Sequence, residues 1–188
     1  MSQARTLKDK EINQVLGYVT RTRHKLRNRV MLLCTYHAGF RVGEVAALQY
    51  GDVVQADGSI AAEVRLAVDQ TKGNRARTVF LPEKLRKELA AYVKAYPQRH
   101  PSKPLFYTQK REGFSANTLA QHFFHLYHAA GLAGASSHSG RRTFITTLAN
   151  KGIGVRVLQS LAGHRNISTT QAYIEINDDM LRSAVALI

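Results

Sequence analysis

The sequence predicts a mainly α-helical domain with one small antiparallel β-sheet inserted into it. Apolar residues recur at helical spacing through successive segments, and glycines stand where several of these patterns stop. Only residues 52–81 change character, with β-type content on either side of the turn-forming TKGNRAR. At 188 residues and 44% hydrophobic, the chain is long and apolar enough for one proper core.

Thr6 with Asp9 has the form of a capping box and opens a helix running to about residue 19. After the basic stretch RTRHKLRN, Val30 to Tyr36 reads as a mostly buried helix that Gly39 ends. A short helix from Arg41 to Leu48 turns Val42, Val45, Ala46 and Leu48 inward. Ile60 to Val68 and Arg77 to Leu81 are the two strands, with Lys72 at or beside the hairpin tip. Pro82 and Glu83 open a helix to about Tyr96. PQRHPSKP is then a loop, and Leu105, Phe106 and Tyr107 form a short apolar patch. Ser115 to Ala130 is helical, with Leu119, Phe123, Leu126 and Ala130 on one face. Helices from Arg141 to Asn150 and from Val155 to Ala162 end at Gly152 and Gly163. Ser168 and Gln171 form a capping box for a helix carrying Tyr173. Asp178 or Asp179 caps a last segment in which Leu181, Val185 and Ile188 are apolar.

Lys and Arg number 27 against 13 Asp and Glu, a formal net charge of +14. Such a charge on a folded domain points to a polyanionic partner, nucleic acid ahead of membrane; the bland alternative is solubility alone. Cys34 stands alone, so no intrachain disulfide and no thiolate metal cluster is expected. MSQARTLKDKE lacks the apolar stretch of a signal peptide, and no run of about 18 apolar residues marks a membrane span. A soluble, cytoplasmic protein is the expectation. His122, His125 and His128 lie on one helix but fan out at about 100° per residue, too widely to converge on one ion. They read as a polar outer face, and no metal site is expected.

Three polar clusters remain: GFRVGE, HSGRR and GHRNISTTQAY. Arg41, His138, Arg141 and His164 each stand beside a glycine or at a helix start, where an anion is favoured. Basic helix starts are commonly only solvated. Three in one basic chain, with the hairpin lysine Lys72, point to one phosphate pocket. Tyr173 is a poor nucleophile at a pKa of about 10 unless cations or a base lower the cost of its ionisation. Most of the eight tyrosines are more simply core or interface residues.

The motifs HAGFRVGEVAALQYGDV, TKGNRARTVFLP, HSGRRTFITTLANKG and LQSLAGHRNISTTQAY occur in this order. On these motifs the chain resembles the tyrosine recombinases, the phage integrase family, from about Thr6 to its end. The resemblance implies their catalytic fold, shared with type IB topoisomerases, and site-specific DNA recombination through a 3′-phosphotyrosyl intermediate. It implies that Arg41 and Arg141 bind the non-bridging oxygens of the scissile phosphate and that Tyr173 attacks it. Lys72 would protonate the leaving 5′ oxygen, His138 would move a proton at the tyrosine, and His164 would hydrogen-bond the phosphate. Glu44 would support the pocket, and Arg142 has no family role to carry over. Neither metal ion nor other cofactor is implied, because the tyrosyl ester conserves the phosphodiester's energy.

Most of the family carry a further DNA-binding domain ahead of the catalytic one, and here only Met1–Arg5 precede the match. Residues 1–188 are therefore expected to form a single catalytic domain without an N-terminal core-binding domain, as in the fimbrial-switch DNA invertases or a trimmed chain. The expected partners are double-stranded DNA, further copies of the chain as a dimer to tetramer on it, and accessory DNA-bending proteins. Nucleoid association follows from these partners. The rival reading is a non-catalytic DNA-binding regulator that keeps the fold, which would be expected to have lost one of Arg41, Lys72, Arg141 or Tyr173.

Overall fold

A computed structural model describes residues 4–71, 75–98, 100–110, 112–174, 181–182 and 185–186. Its described elements are α-helices around one two-stranded antiparallel sheet, the class that the hydrophobic patterning predicts.

Helix α1 (Asp9–Val19) turns Ile12, Val15 and Val19 inward. Its cap is not Thr6: the Glu11 carboxylate accepts from the Lys8 backbone N–H at 2.9 Å, which places the first turn two residues later. Helix α2 (Lys25–Ala38) begins inside the basic stretch, earlier than its apolar run. Two polar residues make that possible. Arg27 donates to the Tyr107 carbonyl at 2.6 Å, and Asn28 bonds Thr22 and His122. From Val30 to Cys34 the helix is buried on every side, so it forms the centre of the core, packed by α5 and α7. Gly39 ends it in the left-handed conformation, φ 64°, where a Cβ would also strike the Phe144 ring.

Helix α3 (Val42–Ala47) follows, and α4 (Tyr50–Val53), a single turn absent from the sequence reading, leads to the sheet. Strands β1 (Glu63–Leu66) and β2 (Arg77–Phe80) pair with Val64 opposite Val79 and Leu66 opposite Arg77. β1 is shorter than Ile60–Val68, because Ile60 pairs with Val54 instead. Lys72 lies outside the described residues. On the two sides of it in the sequence, the Thr71 hydroxyl bonds both the carbonyl (2.8 Å) and the N–H (3.3 Å) of Arg75.

Helix α5 (Glu83–Ala95) starts after Pro82, and α6 (Ala116–Ala129) is capped by the Ser115 hydroxyl, which accepts from Thr118 N–H at 3.1 Å. On α6, His125 and His128 are exposed, but His122 turns inward to Asn28, so it does not share their polar outer face. Helix α7 (Ser139–Asn150) begins two residues before Arg141, because Gly140 lets it lie directly on Thr35 of α2. Helix α8 (Val155–Ala162) ends at Gly163. Helix α9 (Ile167–Gln171) starts from Asn166 rather than Ser168 and stops before Tyr173, which sits in the following turn. Leu181 and Val185 are exposed; Asp178, Asp179 and Ile188 lie outside the described residues. Among those residues, no helix is long and apolar enough to cross a membrane and no group of His, Cys, Asp and Glu could hold a metal ion.

Candidate active site

The C-terminal end of α2, the start of α3, the first turn of α7 and the end of α8 meet at one place. Helix ends leave backbone carbonyls without partners, and here arginines take them. Arg141, 6% exposed, donates to the carbonyls of Gly39 and Ala162. Arg41 donates to the Gly163 carbonyl at 2.8 Å and to that of Ala162 at 3.3 Å. The two arginines of the separated motifs GFRVGE and HSGRR thus share one acceptor, the Ala162 carbonyl.

Glu44 lies beneath them, 1% exposed. Its carboxylate accepts from the Arg41 backbone N–H and from Arg41 Nη1, both at 2.7 Å, which closes the start of α3. Burial alone would raise the carboxyl's pKa, but hydrogen bonds and charge from Arg77 and Arg41 outweigh it and hold it below its ordinary value. Burial, then the charges of Arg41 and Arg77, push the Arg141 guanidinium down to about 9, so it still carries its charge at neutral pH.

His164 follows the left-handed Gly163, and its Nδ1 is 2.9 Å from the hydroxyl of Thr170, a fully buried residue of α9. Burial and three arginines, Arg141 first, hold the imidazole down to about 4. At neutral pH it is therefore an uncharged hydrogen-bonding group. The Tyr173 ring stacks on the His164 ring at 5.6 Å and 25°, and the Arg142 guanidinium lies over the tyrosine ring, 5.0 Å from its centroid.

Two cavities flank this stack. Arg41, Thr71, Arg75, Arg77, Arg156 and Arg165 are among the residues lining a groove of about 670 Å³ that also reaches His164. A smaller cavity of about 220 Å³ is lined by His138, Arg142 and Tyr173. His138 itself is exposed at the N-cap of α7. The structure therefore brings Arg41, Glu44, Arg141, His164 and Tyr173 together, and His138 lines the same small cavity as Tyr173. Thr71 and Arg75, the described residues on either side of Lys72 in the sequence, both line the large groove. A groove walled by guanidiniums with a neutral imidazole and a phenol at its side is suited to an anion, above all a phosphate.

Sequence reasoning missed three members of this arrangement. Thr170 orients His164, Arg142 covers Tyr173, and Arg77 grips Glu44 through Nε at 3.0 Å and Nη2 at 2.7 Å. For Arg77 a signal existed: in the strand pattern Arg77-Thr78-Val79-Phe80 the arginine falls on the same face as buried Val79. Cys34 is buried with its thiol pushed up to about 12, so it is unreactive.

Comparison with known proteins identifies the family. Residues 5–180 match the model of the phage integrase family. The chain is 28% identical to tyrosine recombinase XerA of Pyrococcus furiosus over 185 residues, covering 96% of this chain and 60% of that protein. With tyrosine recombinase XerC of Caldanaerobacter subterraneus it shares 33% identity over 168 residues, 86% of this chain and 44% of the relative. The chain thus spans about half to three-fifths of the length of these curated relatives. A crystal structure of XerA recombinase superposes with a TM-score of 0.76 at 23% identity, over 99% of this chain and 66% of the other. The Tn1549 transposon integrase, in complex with circular intermediate DNA, gives 0.76 at 18% identity over 99% and 67% of the two chains. The helical frame with its small antiparallel sheet is the fold of these structures, and with its sequence matched from residue 5 to residue 180 the chain belongs to the phage integrase family.

Proposed function

We propose that this chain is the catalytic unit of a tyrosine-type site-specific recombinase that cuts and rejoins duplex DNA. The observation that carries the reading is the convergence of Arg41 and Arg141 on shared helix-end carbonyls, with His164 following the end of α8 and Tyr173 stacked on its ring. In this reading the Tyr173 oxygen attacks the scissile phosphorus and a bond forms between them. The bond to the 5′ oxygen breaks, leaving a 3′-phosphotyrosyl ester and a free 5′-hydroxyl. Arg41 and Arg141 meet the charge that grows on the non-bridging oxygens, where charge-assisted bonds contribute most. His164, held neutral, supplies a hydrogen bond rather than a charge. His138 takes the tyrosine's proton, and Lys72 gives one to the departing 5′ oxygen. Attack by the 5′-hydroxyl of another strand reverses each step, so the exchange conserves bond energy and needs neither a metal ion nor ATP.

The partners proposed are duplex DNA and further copies of the chain, with DNA-bending proteins as possible accessories. Support comes from the arginine-lined groove, from the +14 charge, and from neighbours such as the lambda integrase dimer bound to a core site, at 18% identity and TM-score 0.70. The test is covalent capture. Wild type and Tyr173→Phe are incubated with nicked duplexes tiled across a site selected by the protein from random sequence. A denaturant-resistant, protease-sensitive adduct that forms with wild type and disappears with Tyr173→Phe is the expected result. Absence of an adduct on DNA that wild type binds would favour a non-catalytic DNA-binding protein.

A further inference from the structure

Arg77 occupies an inward position of β2, on the face of Val79, where a cation is out of place without partners. Its side chain is 9% exposed, and it bonds Glu44 and two helix-end carbonyls. It forks onto both oxygens of Glu44, the carboxylate that also holds Arg41. Its Nη2 lies 3.4 Å from the Gly39 carbonyl, which Arg141 also takes, and its Nη1 donates to the Leu161 carbonyl at 2.9 Å. Gly163, whose carbonyl accepts from Arg41, has no room for a Cβ because Arg77 Cδ would be 2.6 Å away.

We propose that Arg77 is a positioning residue for the phosphate site, an inference that rests on the recombinase reading. With only Arg41 as partner, Glu44 would form a closed, neutral pair with it. Arg77 fixes the carboxylate through both oxygens, so Arg41 is held by one edge while the cluster of three guanidiniums about one carboxylate stays cationic. With its side chain 9% exposed and bonded to Glu44, Arg77 acts through Arg41 rather than on the phosphate itself.

The test uses the tiled nicked duplexes described above. Wild type first identifies the scissile phosphate, which is then made either as the ordinary phosphodiester or as a neutral methylphosphonate. Arg77→Lys keeps a charge against Glu44 but cannot span the Glu44 oxygens and the Leu161 carbonyl together. DNA affinity is read by fluorescence anisotropy and chemistry by the rate of adduct formation, with Arg41→Ala as reference. The expected result for Arg77→Lys is affinity within about threefold of wild type and phosphodiester cleavage slower by about 100-fold, the scale of a small misplacement in a site. On the methylphosphonate the deficit shrinks to about tenfold or less, as for Arg41→Ala, because a neutral phosphorus centre asks less of the arginines. Unchanged cleavage, a loss confined to affinity, or equal deficits on both substrates would overturn the proposal and leave Arg77 a folding residue. If Arg77→Lys does not fold by circular dichroism, the Glu44→Gln/Arg77→Gln pair, which removes the buried charges together, is compared with Glu44→Gln alone, and a cleavage deficit no larger than that of the single variant overturns the proposal. Absence of any adduct with wild type is a different failure: it removes the recombinase reading, and the positioning role with it.

Discussion

Replacing Glu44 by glutamine removes one negative charge and almost no volume from a residue that is 1% exposed. The carboxylate accepts from Arg41 N at 2.7 Å, Arg41 Nη1 at 2.7 Å, Arg77 Nε at 3.0 Å and Arg77 Nη2 at 2.7 Å. A glutamine keeps one acceptor oxygen and sets an NH₂ against the other donors, so at least one guanidinium faces a donor. Breaking a buried pair typically destabilises by about 3–5 kcal/mol. Because the shape is kept, the lower end is expected: about 3 kcal/mol, or a fall in melting temperature of about 6–12 °C for a chain of this size. Urea denaturation followed by far-UV circular dichroism measures it, with the slopes compared to confirm that both proteins unfold from equally compact states. The pH dependence gives a second handle. Glu44's carboxyl is held below its ordinary 4.5, so its contribution is complete above that pH and is lost as pH falls through the lowered value. Wild type and Glu44→Gln should therefore converge in stability on acidification. A loss below about 1 kcal/mol at pH 7, or curves that stay parallel into strong acid, would refute the view that this carboxylate is the hub of the arginine cluster.

Other outcomes follow from the same geometry. His37, His122 and His164 are each held down to about 4, so the unfolded chain binds protons that the folded one refuses between that value and 6.5. Stability is full above pH 6.5 and falls on acidification towards 4, and His164→Gln should make that fall shallower by on the order of 2 kcal/mol in urea titrations at pH 6.5 and 4.5. Gly163→Ala combines φ +60° with a clash at Arg77, whereas Gly152→Ala has φ +79° and open space. Thermal unfolding should show the first to be worse by about 1–2 kcal/mol. DNA affinity should fall steeply with salt in a log–log plot, and Arg156→Ala or Arg165→Ala should each lower the slope by about 1 if these groove arginines meet phosphates.

Much of the fold was legible because it is written in short-range patterns. The burial of Leu119, Phe123 and Leu126 on α6 follows from their spacing, and the ends of α2 and α8 follow from Gly39 and Gly163. Errors gathered where long-range contacts override local signals. Thr6 has the form of a cap, yet Leu7 N–H is held by Thr143 Oγ1 at 2.8 Å, far along the chain, and the helix starts later. RTRHKLRN looks too polar for a core helix, and only the Tyr107 carbonyl and the His122 ring explain why Arg27 and Asn28 can be buried in it. At the site, motif spacing identified side chains but not their supports. Nothing local in TTQAY says that Thr170 will meet His164, and nothing in HSGRR says that Arg142 will cover Tyr173.

The acceptors that hold the two site arginines, at Gly39, Ala162 and Gly163, are main-chain atoms. No amino-acid substitution deletes a carbonyl. A scan that truncates side chains one at a time will thus find the arginines and Glu44 but remain blind to half of what grips them. The same property gives the site freedom to drift in composition: any residue that leaves the helix ends where they are supplies the same oxygens. Damage on this side of the site has to come through backbone changes, such as a proline or a Cβ at a helix stop, which move several acceptors at once.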